Sequence, residues 1–208
     1  DDRFWSLKFI YRTCEGKLIM VGKPVLIIVN GLPGTGKTTL ARRIASDVGL
    51  PAFSRDGLYE TLYDALACES NGCPPLLGHA SFTLLYAIAG SILAAGQSLI
   101  VEGFFGNPEL RGGQFLQLQQ AHDFEPFQIM CRTDGEVLLK RILARIESGE
   151  RHVGHQDRIW VEQNKERLSE YLPPLAPGGQ LVEIDTTTPD SFEYADLLQR
   201  IRAALSHI

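Results

Sequence analysis

Little in this chain points toward a membrane. The early apolar stretch, residues 18–29, is interrupted by Gly22-Lys23-Pro24 and is too short to span a bilayer. Asp1-Asp2 stand where a secretory leader would be basic, and no long apolar run follows, so no signal peptide is expected. Excess positive charge is missing too. Twenty Lys and Arg against 25 Asp and Glu leave a net charge of −5, which removes any bulk attraction to nucleic acid or anionic lipid. A local basic groove is still compatible with that balance. The cysteines Cys14, Cys68, Cys73 and Cys131 form no CxxC and no second pair at zinc spacing, so reduced thiols in a cytoplasmic protein are expected. Repeats and low-complexity tracts are absent. What is present is ordinary globular composition, 44% hydrophobic and 22% charged, in 208 residues. That is enough for one well-buried domain.

The hydrophobic pattern alternates between short apolar runs and longer helical stretches. Residues 25–29 form an apolar run rich in β-branched side chains, as expected of a strand buried on both faces. Further strands are expected at 51–54, 98–101, 127–131 and 181–185. Helices are expected at 38–48, 57–68, 80–95, 109–121, 136–148, from about 157 to 171, and at 191–205, with a loop over 69–78. Residues 1–23 alternate loosely around Glu15-Gly16 and suggest a β-hairpin ahead of a single domain spanning 24–208. Strand and helix alternating five times imply an α/β fold. Its parallel sheet would be covered on both faces and would bind ligands at the strand carboxyl ends.

One segment carries chemistry unambiguously. Gly31-Leu32-Pro33-Gly34-Thr35-Gly36-Lys37-Thr38 matches GxxxxGK[ST] between a buried strand and a helix. Its glycines permit the backbone turns that aim N–H groups at an anion, and the helix N-terminus adds a positive dipole end. Lys37 supplies a charge for β- and γ-phosphates, Thr38 a hydroxyl for Mg²⁺, and Thr39 a contact to the α-phosphate. ATP with Mg²⁺ is the implied cofactor pair.

A guanine-reading NKxD run is missing; the relevant strand end reads Ile129-Met130-Cys131-Arg132-Thr133-Asp134. A hydrophobic strand ending in Asp-Glu and a helical lid domain, needed for an AAA-type motor, are missing as well. Over residues 24–206 the chain resembles small P-loop kinases of the nucleoside-monophosphate-kinase type. It more closely resembles the AAA-like predicted kinases that include chloramphenicol phosphotransferase, gluconate kinase and zeta-toxin relatives. The P-loop, Asp56 after the second strand, the Arg141/Arg145 helix and the arginine-bearing stretch after it carry the resemblance.

The resemblance implies a three-layer P-loop NTPase fold with a five-stranded parallel sheet and a lid at about 149–158. It implies transfer of the ATP γ-phosphoryl group to a hydroxyl of a small molecule. Asp56 would accept the hydroxyl proton, although Asp before Leu58-Tyr59-Glu60 also suits a helix cap. Glu102 occupies the Walker B position and would serve metal or substrate; a solvated strand-end acid is the alternative. Arg141 would stack near adenine, while Arg145 and Arg151 would meet the phosphates as the lid closes; Arg158 is a further candidate. A solvated helix face would also explain such arginines. His152 and His155 form HxxH without a completing ligand, so lid polarity explains them better than metal.

The acceptor is expected among Tyr59, Tyr63, Phe82, Tyr86, Phe104, Phe105 and Asn107, with Arg55 or Arg111 available for an anionic group; Phe82 and Tyr86 also suit plain core. An antibiotic, sugar, nucleoside or cofactor precursor would all fit. A polynucleotide or protein kinase, a non-catalytic ATP-binding regulatory module, and an ATPase-driven partner switch stay open.

Overall fold

A computed structural model describes residues 10–14, 17–106, 108–169, 172–189 and 191–206, with side chains from residue 22 onward except 107–112. In chain order the strands are β1 Ile10–Cys14, β2 Lys17–Val21, β3 Val25–Gly31, β4 Ala52–Ser54, β5 Leu99–Gly103, β6 Glu125–Arg132 and β7 Gln180–Asp185. The helices are α1 Lys37–Val48, α2 Arg55–Ala65, α3 Cys68–Asn71, α4 Leu77–Ala94, α5 Pro108–Ala121, α6 Gly135–Ser148, α7 Asp157–Asn164 and α8 Tyr194–Ser206, and α7 runs on into a 3-10 turn at Lys165–Ser169. β1 and β2 pair antiparallel, Ile10 opposite Val21 and Cys14 opposite Lys17; Glu15-Gly16 lies outside the described residues.

The remaining five strands form one parallel sheet in the order β4-β5-β3-β6-β7. Every residue of the central strand β3 is buried, because its side chains alternate between two covered faces. Val25, Ile27 and Val29 pack with Leu40 and Ile44 of α1 and Leu197 and Ile201 of α8. Leu26 and Ile28 face the opposite layer, against Phe82, Leu85 and Ala89 of α4 and Phe115 and Leu118 of α5. Each fully buried Ile or Leu here contributes about 1.5–3 kcal/mol. α4 is a described helix long and apolar enough to cross a bilayer, yet its apolar face lies on the sheet. A third cluster joins Leu32 and Met130 to Leu138, Ile142, Val161 and Leu168, and so seats α6 and α7 beside the P-loop.

β3 leads out toward the β4 edge and β6 toward the β7 edge, so their connections diverge. Such a switch point opens a crevice at the strand carboxyl ends. The P-loop leaves β3 there, Glu102 and Phe104 leave β5, and Arg55 and Asp56 leave β4.

Some expected boundaries move for physical reasons. The helix expected over 57–68 starts earlier, because Ser54 caps it by accepting from Gly57 N at 3.3 Å. It also ends earlier, since Ala67 takes φ 49 and reverses the chain into α3. Ser54, not Asp56, is therefore the cap, and Asp56 stands in the first turn. The expected loop 69–78 contains most of α3. Cys68 and Cys73 are disulfide-bonded, which corrects the expectation of reduced thiols for this pair. The turn of α3 followed by Gly72 at φ 75 folds the chain back and brings their Cα atoms to 4.6 Å, a closure that spacing alone does not reveal. Cys131 is free and buried, and burial pushes its thiol up to about 12.

Candidate active site

The P-loop is held open by its own backbone and by its neighbours. The Leu32 carbonyl accepts from Thr35 N at 3.3 Å, Thr35 Oγ1 at 2.8 Å and Lys37 Nζ at 2.9 Å. Gly31 has φ 154, and a Cβ there would fall 2.5 Å from the Cys131 carbonyl oxygen, so only glycine lets the loop leave β3 against β6. Gly36 opens α1 in the left-handed region at φ 77, with no side chain capping the first turn. The contrast with α6 is informative: there Asp134 accepts from Glu136 N and Val137 N. The uncapped donors of α1 face a cavity, the arrangement an anion needs.

That cavity measures ≈ 710 Å³ and is lined by P-loop residues Pro33, Gly34, Gly36, Lys37, Thr38 and Thr39. It gathers Arg55, Asp56, Glu102, Arg141, Arg145 and Arg151 from four further segments. Lys37 is buried, and burial lowers its pKa against the opposing pull of Glu102. Thr38 Oγ1 donates to Glu102 Oε2 at 3.1 Å, so the two groups proposed for Mg²⁺ already meet. No group of three or more His, Cys, Asp or Glu suited to a metal occurs among the described residues. A hydroxyl beside a single carboxylate matches Mg²⁺, which takes few protein ligands and completes its shell with phosphate oxygens and water.

Asp56 lies among cations. Arg151 Nη2 donates to its Oδ2 at 2.9 Å, and Arg55 Nη1 to its Oδ1 at 3.2 Å. Burial pushes the Asp56 carboxyl up, but the Arg151 hydrogen bond and the charges of His155, Arg151 and Arg55 outweigh it and hold the group at about 2. Asp157 ties the cationic side together: it accepts from Arg145 at 2.5 Å and lies 3.3 Å from Arg151 Nε. The Nε of Arg145 is buried without a hydrogen-bond partner, a donor that an incoming anion can use.

Sequence-derived candidates sort clearly on this geometry. Arg141 lines the cavity while donating to the carbonyls of Thr186 and Thr187 at 2.7 and 3.0 Å, which ties α6 to the loop after β7. Arg55 lines it with its guanidinium over the Phe82 ring and a second contact to the Gly78 carbonyl at 3.3 Å. Phe105 does not reach the cavity. It is buried between Phe82 and Phe115, and its neighbour Phe104, two residues on from Glu102, lines the wall instead. Tyr59 is also absent from the lining; its hydroxyl donates to the Gly154 carbonyl at 3.1 Å. Tyr86 packs edge-on to Phe115 in the core, and the Arg111 side chain and Asn107 lie outside the description. His152 and His155 each face one carboxylate of α2.

Sequence reasoning missed Asp157, Trp160, Gln163 and Arg167, which complete the cavity from the segment after α6. Trp160 meets Phe104 edge-on at 6.1 Å. It also missed Asn30, whose buried Oδ1 accepts from Gly31 N at 2.8 Å and Phe105 N at 3.1 Å, coupling the P-loop entry to the loop after β5. The spacing of Trp160, Gln163 and Arg167 along one helix face was readable, but nothing local says which way that face points.

Comparison with known proteins agrees with this architecture. The model of an AAA domain family matches residues 26–169. An uncharacterised protein of Mycobacterium tuberculosis is 30% identical over 129 residues, 58% of this chain; the chain spans about a quarter of the length of such curated relatives, the match covering 25% of theirs. The crystal structure of a candidate kinase from Chloroflexus aurantiacus is 37% identical with a TM-score of 0.79, covering 88% of this chain and 100% of its own. The APS kinase of Mycobacterium tuberculosis, solved with AMPPNP and APS, has a TM-score of 0.56 at 15% identity, covering 88% and 98%. That last likeness shows the fold alone. A match over residues 26–169, more than half the chain, on a P-loop α/β sheet means that the chain belongs to the AAA domain family, in its group of AAA-like P-loop kinases.

Proposed function

We propose that this protein is an ATP- and Mg²⁺-dependent kinase that transfers the γ-phosphoryl group to a hydroxyl of a small molecule in the cytoplasm. The observation that carries the reading is the meeting of Asp56 with Lys37, Thr38, Glu102, Arg145 and Arg151 around one cavity. The P-loop and Thr39 would cradle the triphosphate, Arg141 would border the base, and the acceptor would lie between Asp56, Phe82, Phe104 and Trp160.

Mg²⁺, held through Thr38 with Glu102 beside it, would neutralise charge on the phosphates. Lys37, Arg145 and Arg151 supply the fixed positive charge that a loose phosphoryl-transfer transition state needs over its three equatorial oxygens. Asp56 orients the attacking hydroxyl. A carboxylate is far too weak a base to take a proton early from a hydroxyl whose acidity is close to that of water, about 15.7. The proton therefore moves to Asp56 late, once the new O–P bond has made the hydroxyl acidic, and the leaving ADP carries away the electron pair.

Incubation with γ-labelled ATP, Mg²⁺ and a panel of metabolites and antibiotics tests the reading. Label on one hydroxylated acceptor is expected. Label released only as inorganic phosphate, or none released, refutes a small-molecule kinase.

A further inference from the structure

Three carboxylates stand at every fourth position of α2: Asp56, Glu60 and Asp64. That spacing puts them on one helix face. Each meets a different side chain of the segment after α6. Arg151 donates to Asp56 at 2.9 Å, His155 Nε2 lies 2.8 Å from Glu60 Oε1, and His152 Nε2 lies 3.1 Å from Asp64 Oδ1. Two tyrosines repeat the spacing beside them. The Tyr59 ring lies 5.2 Å from that of His155, and Tyr63 meets His152 edge-on at 5.3 Å. Gly154 leaves room for the contact, since a Cβ there would fall 2.7 Å from the Tyr63 ring.

We propose that this acidic track positions the lid, with the Glu60–His155 pair setting Arg151 over Asp56 and the Asp64–His152 pair pinning the outer end. Glu60, Asp64, His152 and His155 are positioning residues that act through Arg151. Exposure grades the two pairs: the His155 side chain is 8% exposed, whereas Asp64 is 70% exposed. A hydrogen bond strengthens as water is excluded, so the inner pair dominates. The outer, exposed pair contributes less, within about threefold. The role given to Arg151 rests on the kinase reading; the seating itself does not.

Amide hydrogen exchange on the full chain, without nucleotide, tests the track through peptides covering 149–156. Glu60→Gln and His155→Gln are each expected to speed exchange about tenfold, and the two combined no further. Glu60→His together with His155→Glu is expected to return exchange to within about threefold of the parent, a rescue that general loosening would not give. Unchanged exchange in the single variants, additive effects, or no rescue overturns the proposal. Peptides from β3 report on folding. Should Glu60→Gln expose them, Asp64→Asn at its exposed site decides: about threefold faster exchange supports the track, and unchanged exchange overturns it. If the kinase reading fails instead, labelled ATP yields no phosphorylated acceptor while these exchange changes still appear.

Discussion

Arg151 donates to Asp56 at 2.9 Å across 95 residues of sequence, joining the segment after α6 to the first turn of α2. The arginine proposed to serve a phosphate and the carboxylate proposed to serve a hydroxyl thus hold each other. Anionic phosphate competes with Asp56 for the same guanidinium, so engagement of Arg151 by a nucleotide would free the carboxylate for the acceptor.

Asp56→Asn keeps the shape and removes the proton acceptor. Turnover is expected to fall about 10²- to 10⁴-fold, with affinity for a fluorescent ATP analogue unchanged within about threefold. Preserved turnover would remove Asp56 from the mechanism and favour a non-catalytic nucleotide-binding module.

Arg151→Lys keeps a charge but loses the planar fork that reaches Asp56 and Asp157 together. Turnover is expected to drop about 10³-fold, the lower end for an arginine serving phosphoryl transfer. A near-wild-type rate, measured once the acceptor is known, would reduce Arg151 to a structural contact.

The pH dependence follows from two groups. Burial, then the charge of Arg151, lowers the His155 pKa below 6.5, against Asp56 and Glu60. The segment seated on α2 therefore prefers the neutral ring; seating is at full strength above pH 6.5 and weakens as pH falls below it. Emission of Trp160, isolated by Trp5→Phe, is expected to shift in that window and to lose the shift in His155→Gln. Asp56 lies at about 2 against an ordinary 3.8, so its contribution to stability is present above pH 3.8 and is lost as pH falls toward 2. Acid unfolding of Asp56→Asn is expected to lack that limb.

Gly31→Ala places a methyl group 2.5 Å from the Cys131 carbonyl oxygen. A loss of about 1–3 kcal/mol in chemical denaturation is expected, together with loss of nucleotide binding. A variant of parental stability would mean that β3 and β6 separate easily.

The Cys68–Cys73 bridge closes a short loop, for which chain-entropy reasoning gives about 2 kcal/mol. Reduction is expected to lower the melting temperature by about 4–8 °C, and Cys73→Ser to do the same without reductant. The bridge stands against a cytoplasmic location, where thiols are kept reduced. Trapping thiols in intact cells decides between them: a free Cys68 and Cys73 pair supports the cytoplasm, and a blocked pair an oxidising compartment.

The sequence by itself determined the P-loop, the alternation of buried strands with helices, and the spacing of Arg141 and Arg145. Each is a local property: a strand period of two, a helix period near four, or a glycine pattern with one mechanical use. Tertiary structure decided what local spacing cannot carry. Phe104 rather than Phe105 faces the cavity, because Phe105 is drawn into the core between Phe82 and Phe115. The acids of α2 acquire a purpose only when the segment from Arg151 to His155 lies on them. Cys68 meets Cys73 because Ala67 and Gly72 take positive φ. Asn30 reads as a strand end until its side chain is seen holding both Gly31 and Phe105. A lone chain segment specifies its own backbone, whereas the partner across the cavity is specified by the whole sheet.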